Sequence, residues 1–162
     1  MKSNSTIIIL LLITGILSGY CGYMMTSAVA FPENPGTYAY FIKISEMPHP
    51  YHPDYNVSTE EYFKTGGDCE DRANVFKEYL KSRGETNVVI CSVFHLENGT
   101  FIKSPQNDYG HGFVVWNDQV YNPSLTPSQR FYNYDFQTYI MDLKERHGYN
   151  VMYFDNGTSS YY

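Results

Sequence analysis

The stretch Gly66-Gly67-Asp68-Cys69-Glu70-Asp71-Arg72-Ala73 carries the reading of this chain. Beyond it Ala73, Phe76 and Leu80, with Tyr79 beside them, recur at three- and four-residue spacing, which predicts a helix from about Cys69 to Arg83. Asp68 is placed to cap its start and Gly84 to stop it. A cysteine in the first turn of a helix meets unpaired N–H groups and the positive end of the helix dipole. Both favour the thiolate, the form that attacks a carbonyl carbon. The paired glycines are expected to let a substrate backbone come close to the sulfur and to free the turn from side-chain crowding.

A thiolate nucleophile needs an acid–base partner, and His111 fits best of the five histidines because Gly110 and Gly112 flank it and it opens an apolar strand. Residues 111–116 read as that strand, Asn117-Asp118 as a tight turn and 119–121 as its return. Asn122 follows directly. In such a hairpin the two can lie side by side, the amide oxygen of Asn122 accepting the second imidazole N–H, as in Cys-His-Asn sites. The competing reading of Asn122 is that it begins an Asn-Pro turn and bonds its own backbone.

The remaining pattern sets the fold class. Ser58-Thr59-Glu60-Glu61 reads as a cap and short helix to Lys64, 87–96 as a dense apolar strand, 135–147 as a helix closed by Gly148, and 149–154 as a last strand. Helices followed by a mostly antiparallel sheet make an α+β layout. Cys91 falls within the apolar strand and reads as a small buried hydrophobe. His95 and His147 read as surface residues.

No charged residue occurs between Lys2 and Glu33, and 7–17 is almost purely aliphatic. Residues 1–30 are therefore expected to be a membrane anchor or a signal peptide cleaved after Ala28-Val29-Ala30, and either one exports the domain. Tyr20 before Cys21 argues against a lipoprotein site. Sequons begin at Asn4, Asn56, Asn98 and Asn156. Residues 31–56, rich in Pro, Tyr and His without sustained period, read as a linker or an arm laid over a domain spanning 57–162. Prolines around His49 and His52 oppose a shared metal-binding face. A net charge of -6 with no basic run excludes nucleic acid as the expected partner. Three cysteines without a CxxC pair do not make a disulfide framework.

Gly-Asp-Cys-Glu-Asp-Arg-Ala at 67–73, the amphipathic helix after it, His-Gly-Phe-Val-Val-Trp at 111–116 and Val-Tyr-Asn-Pro-Ser at 120–124 together resemble the transglutaminase-like cysteine peptidases, above all the bacterial type with a GDCEDxA motif. The resemblance covers roughly residues 62–124. It implies a papain-like core, a nucleophile helix packed on a small antiparallel sheet, with Cys69, His111 and Asn122 as the triad, and a protein or peptide substrate. Most relatives carry Asp at the third position, where this chain has Asn. The same acyl-enzyme would serve a hydrolase or an acyl transferase, and a membrane-tethered binding module that keeps the fold without turnover is the other class. No cofactor is required. In some relatives the acids beside the cysteine bind calcium, which would fall to Asp68 and Glu70. Their alternative roles are N-cap and first-turn dipole partner.

Overall fold

After Gly84 the sequence changes from helical to alternating period, and the sheet begins there. The computed structural model describes residues 34–50, 57–104, 108–124 and 130–162. The chain divides into two units, Met1–Pro35 and Gly36–Tyr162, and the fold described is that of the second.

Three helices come first: α1 (Pro35–Ser45), α2 (Thr59–Thr65) and α3 (Cys69–Ser82). Five strands follow: β1 (Val88–Glu97), the short β2 (Thr100–Ile102), β3 (Gly110–Trp116), β4 (Gln119–Pro123) and β5 (Arg130–Asp135). Helix α4 (Phe136–His147) and strands β6 (Val151–Phe154) and β7 (Ser159–Tyr161) close the chain. The order across the sheet is β5-β4-β3-β1-β6-β7, with β2 paired to the far end of β1, and every pairing is antiparallel. Asn117 and Asp118 both take positive φ (50° and 60°), the two-residue turn their sequence announced. The class is α+β.

Side-chain alternation along the strands divides the interior in two. Val88, Ile90, Val114 and Tyr121 face α1, α2 and α3. Cys91, Val93, Phe113, Val115 and Val120 face the other way, onto Tyr139, Ile140 and Leu143 of α4. Cys91 is fully buried, as its apolar strand implied.

The expected linker over 31–56 needs correction. Residues 35–45 form a helix of 11 residues, opened by Pro35 at a first-turn position that needs no N–H donor. Phe41 and Ile44, 1% and 0% exposed, belong to the core shared with α3. Tyr40 stacks on Tyr79 at 3.9 Å, and Phe41 meets Phe76 edge-on at 5.5 Å. The helix escaped the sequence reading because its apolar pattern is interrupted by Tyr38 and Tyr40, whose rings nonetheless pack against Tyr132 and Tyr79.

The apolar segment 1–30, with Cys21 and the Asn4 sequon, lies outside the described residues, as do Asn56 and His52. Among the described residues no helix is long and apolar enough to cross a membrane. The Asn98 and Asn156 sequons sit in exposed turns between strands.

Deleting residues 1–30 is expected to leave a cooperative thermal melt, because both cores lie within 36–162. Deleting 1–48 removes Phe41 and Ile44, each contributing roughly 1.5–3 kcal/mol by burial, and is expected to abolish that melt. Circular dichroism on the two truncations checks this. An unchanged melt in the longer deletion would show that α1 adds nothing to the fold.

Candidate active site

Helix α3 begins at Cys69 because Asp68 stops the turn before it. The Asp68 carboxylate accepts from the Glu70 and Asp71 N–H groups at 3.0 and 3.3 Å, and Asp71 returns the favour by accepting from Asp68 N at 3.1 Å. This is a complete capping box. Asp71 is buried and its other oxygen accepts from Val57 N at 3.0 Å, which ties the cap to the chain entering α2.

The glycines before the cap serve packing. A Cβ on Gly66, whose φ is +80°, would lie 2.1 Å from the Pro48 carbonyl oxygen, and one on Gly67 would lie 2.7 Å from the Asp71 carboxylate. They hold the segment after α1 against the helix start. Gly110 likewise makes room for the Phe94 ring, which a Cβ would approach to 2.5 Å.

Cys69 starts the helix packed on one side of the sheet, His111 stands on β3, and between them the β3–β4 ladder opens. Pairing runs only from Val114–Tyr121 to Trp116–Gln119. Ahead of it, the Gly112 N–H donates at 3.4 Å to Cys69 Sγ. Across the gap, β5 carries an extra residue: register slips between Val120 and Asn122, and Asn133 takes φ +55°. Asn122 is 2% exposed and lies inside β4, further along the strand than its expected end at 121. Cys69, His111 and Asn122 line one cavity of about 310 Å³, floored by Phe131, Tyr139 and Leu143.

Asn122 is held by four contacts. Its Oδ1 accepts from Ser124 N at 3.1 Å and from Ser124 Oγ at 2.6 Å. Its Nδ2 donates to His111 Nε2 at 2.7 Å and to the Tyr139 hydroxyl at 2.5 Å. A backbone N–H can only donate, so Ser124 N decides which end of the amide faces it. Of the two sequence readings of Asn122, the turn reading is seen directly, and the contact with the imidazole is made in another form. The side chain bonds its own backbone two residues on, and it also touches the imidazole. The end that touches differs from expectation: it is the amide nitrogen, and His111 Nε2 accepts.

Electrostatics agree with a neutral pair. Burial pushes the Cys69 thiol up to about 11, opposed by the Gly112 N–H and reinforced by the Asp68 and Glu70 carboxylates. Burial lowers His111 to about 4, with His147 adding to the effect. The expected thiolate is not favoured in this arrangement. The Asp68 side chain already occupies N–H groups of the first turn, and three neighbouring carboxylates offset the positive helix end.

Asp68 and Glu70, the two acids beside the cysteine, have structural roles at the helix start. Among the described residues no group of three His, Cys, Asp or Glu gathers around them or elsewhere. Asp68 serves as cap and Glu70 is an exposed first-turn acid.

Several cavity residues gave no signal in sequence. His147, read as surface, is half-buried and stacks on Tyr149 at 5.2 Å, with Nδ1 3.7 Å from Asp108 Oδ2. Tyr149 donates to Asp108 Oδ1 at 2.7 Å. His49 also reaches the cavity, while His95 does not line it. Arg72 was the legible omission: spaced four and eight residues before Phe76 and Leu80, it sits on the buried stripe of α3 and is 0% exposed. Its guanidinium donates to Pro123 O and Met47 O, both at 2.6 Å.

No protein-family model, curated protein or solved structure matches this chain.

Proposed function

We propose that this chain is a thiol-dependent hydrolase of peptide or isopeptide bonds, with Cys69 as nucleophile, His111 as acid and base, and Asn122 orienting the imidazole. The observation that carries it is that these three side chains line one cavity beside an opened strand ladder, with the sulfur at a helix start. In this reading Sγ attacks the carbonyl carbon and His111 takes the thiol proton, which it then passes to the leaving amine. Water then cleaves the thioester. The Cys69 N–H is an oxyanion donor in this scheme. The motifs at 67–73, 111–116 and 120–124 add the likeness to transglutaminase-like cysteine peptidases and a papain-like core. An exported location, from the apolar residues 1–30, would direct the activity to envelope or external proteins.

One observation favours a second reading, a binding module without turnover. With Nε2 accepting from Asn122, the neutral imidazole carries its proton on Nδ1 and has no lone pair free for the thiol.

Iodoacetamide labelling of Cys69 across pH, followed by intact mass, separates the two. A hydrolase is expected to label well below the ordinary thiol value of about 8.5 once its site is engaged, and to lose this in His111→Ala. Labelling that begins only above that value, unchanged in His111→Ala, would sink the hydrolase reading and leave the binding module.

A further inference from the structure

We infer that Ser124 and Tyr139 are positioning residues that let the Asn122 amide take two opposite orientations, a resting one that blocks His111 and a turned one that arms it. The inference builds on the hydrolase reading of Cys69 and His111, but it can be tested apart from any turnover.

The resting arrangement is the one described: Ser124 N and Oγ donate to Oδ1, and Nδ2 donates to Tyr139 and to His111 Nε2. Turning the amide by half a revolution exchanges its ends. Oδ1 then accepts from a protonated His111 Nε2 and from the Tyr139 O–H, and Nδ2 donates to Ser124 Oγ. Both hydroxyls can donate or accept, so each serves either orientation. Only the Ser124 N–H, a fixed donor, loses its partner. In the turned state the imidazole proton sits on Nε2, and Nδ1 holds a lone pair. Transfer of the Cys69 thiol proton to Nδ1 then gives thiolate and imidazolium, with no other bond made or broken. Ser124 and Asn122 are buried, 8% and 2% exposed, so water does not substitute freely for these partners. The groups that face His111 besides Asn122 are His147 of α4, Asp108 before β3, His49 after α1 and Cys69 of α3.

The two hydroxyls act in opposite directions. Ser124→Ala leaves Oδ1 its backbone donor in the resting state but deprives Nδ2 of an acceptor in the turned one. Tyr139→Phe deprives Nδ2 of an acceptor in the resting state, while the turned carbonyl keeps His111. The Phe variant retains the ring that packs on Phe113 and Phe131, each at 4.9 Å, so the fold is expected to survive.

Nitrogen-detected NMR of the His111 ring and the pH midpoint of Cys69 alkylation are measured on the full chain in wild type, Ser124→Ala, Ser124→Thr and Tyr139→Phe. Wild type is expected to carry its proton on Nδ1. Tyr139→Phe should raise the Nε2–H form and lower the alkylation midpoint by about one unit, roughly a tenfold gain in labelling rate at fixed pH. Ser124→Ala should shift the midpoint upward, and Ser124→Thr should restore it. A wild-type proton on Nε2 overturns the inference, and so do variants that shift in the same direction or not at all. A ring that behaves as expected beside a Cys69 that never hydrolyses a substrate would keep the two-orientation switch and end the hydrolase reading.

Discussion

Asn122→Asp is expected to raise the rate of Cys69 alkylation at neutral pH by about tenfold or more. A carboxylate has no N–H to place, so every neighbour of Asn122 becomes a donor to it. Ser124 N and Oγ would serve one oxygen, and Tyr139 O–H and His111 Nε2–H the other. The proton on Nε2 frees Nδ1 for the thiol, and the negative charge within hydrogen-bond reach raises His111 by about one to three units. Both changes promote the thiolate–imidazolium pair that burial opposes in wild type. Acid stability gives an independent reading. In wild type His111 is held at about 4, below the roughly 6.5 of an unfolded chain, so its contribution is intact above 6.5 and is lost as pH falls toward 4. In Asn122→Asp the folded value rises, and that loss should shrink or reverse. Melting temperatures at pH 7 and pH 5, measured beside the alkylation profile, check the pair. An unaltered profile with an unaltered acid slope would remove residue 122 from control of His111.

Arg72→Met is expected to lower stability by about 3–5 kcal/mol, the largest loss foreseen for a single side chain here. The guanidinium joins three parts of the chain that are far apart in sequence: helix α3, the segment after α1 through Met47, and the end of β4 through Pro123. Its removal strands the buried Pro123 carbonyl and the half-buried Met47 carbonyl, and Met fills the volume without replacing a donor. Arg72→Lys should recover less than half of the loss, since a single ammonium does not reproduce the fork that spans two carbonyls. Urea denaturation followed by tryptophan fluorescence from Trp116 measures it. A Met variant as stable as wild type would show that burial of the charge cancels what its hydrogen bonds contribute.

What could be read in the sequence was periodic or capped. Helix α3, its Asp68 cap, the hairpin turn at Asn117-Asp118 and the buried Cys91 each follow from a local rule, and the structure bears them out. Helix α1 was hidden because tyrosines blur an apolar stripe. Strands β2 and β7 are three residues each, too short for alternation to register. Strand β5 is recognisable only through the slip it introduces beside Asn122. In the cavity, types and order of the three central residues were legible, but hydrogen-bond direction was not. The position of the Asn122 amide depends on a single N–H at Ser124, and the state of the thiol depends first on its burial and then on the carboxylates around a helix end that spacing alone marks as positive.

The contact between Gly112 N–H and Cys69 Sγ places the sulfur where a neighbouring strand would otherwise supply a carbonyl. The Cys69 sulfur is thus spliced into the sheet as an honorary rung. Anything that loads the sulfur, an acyl group, an alkylating probe or an oxygen atom, also edits the ladder, so the Gly112 amide becomes a gauge of cargo: its proton shift and exchange rate would report occupancy of Cys69 without any label on the substrate.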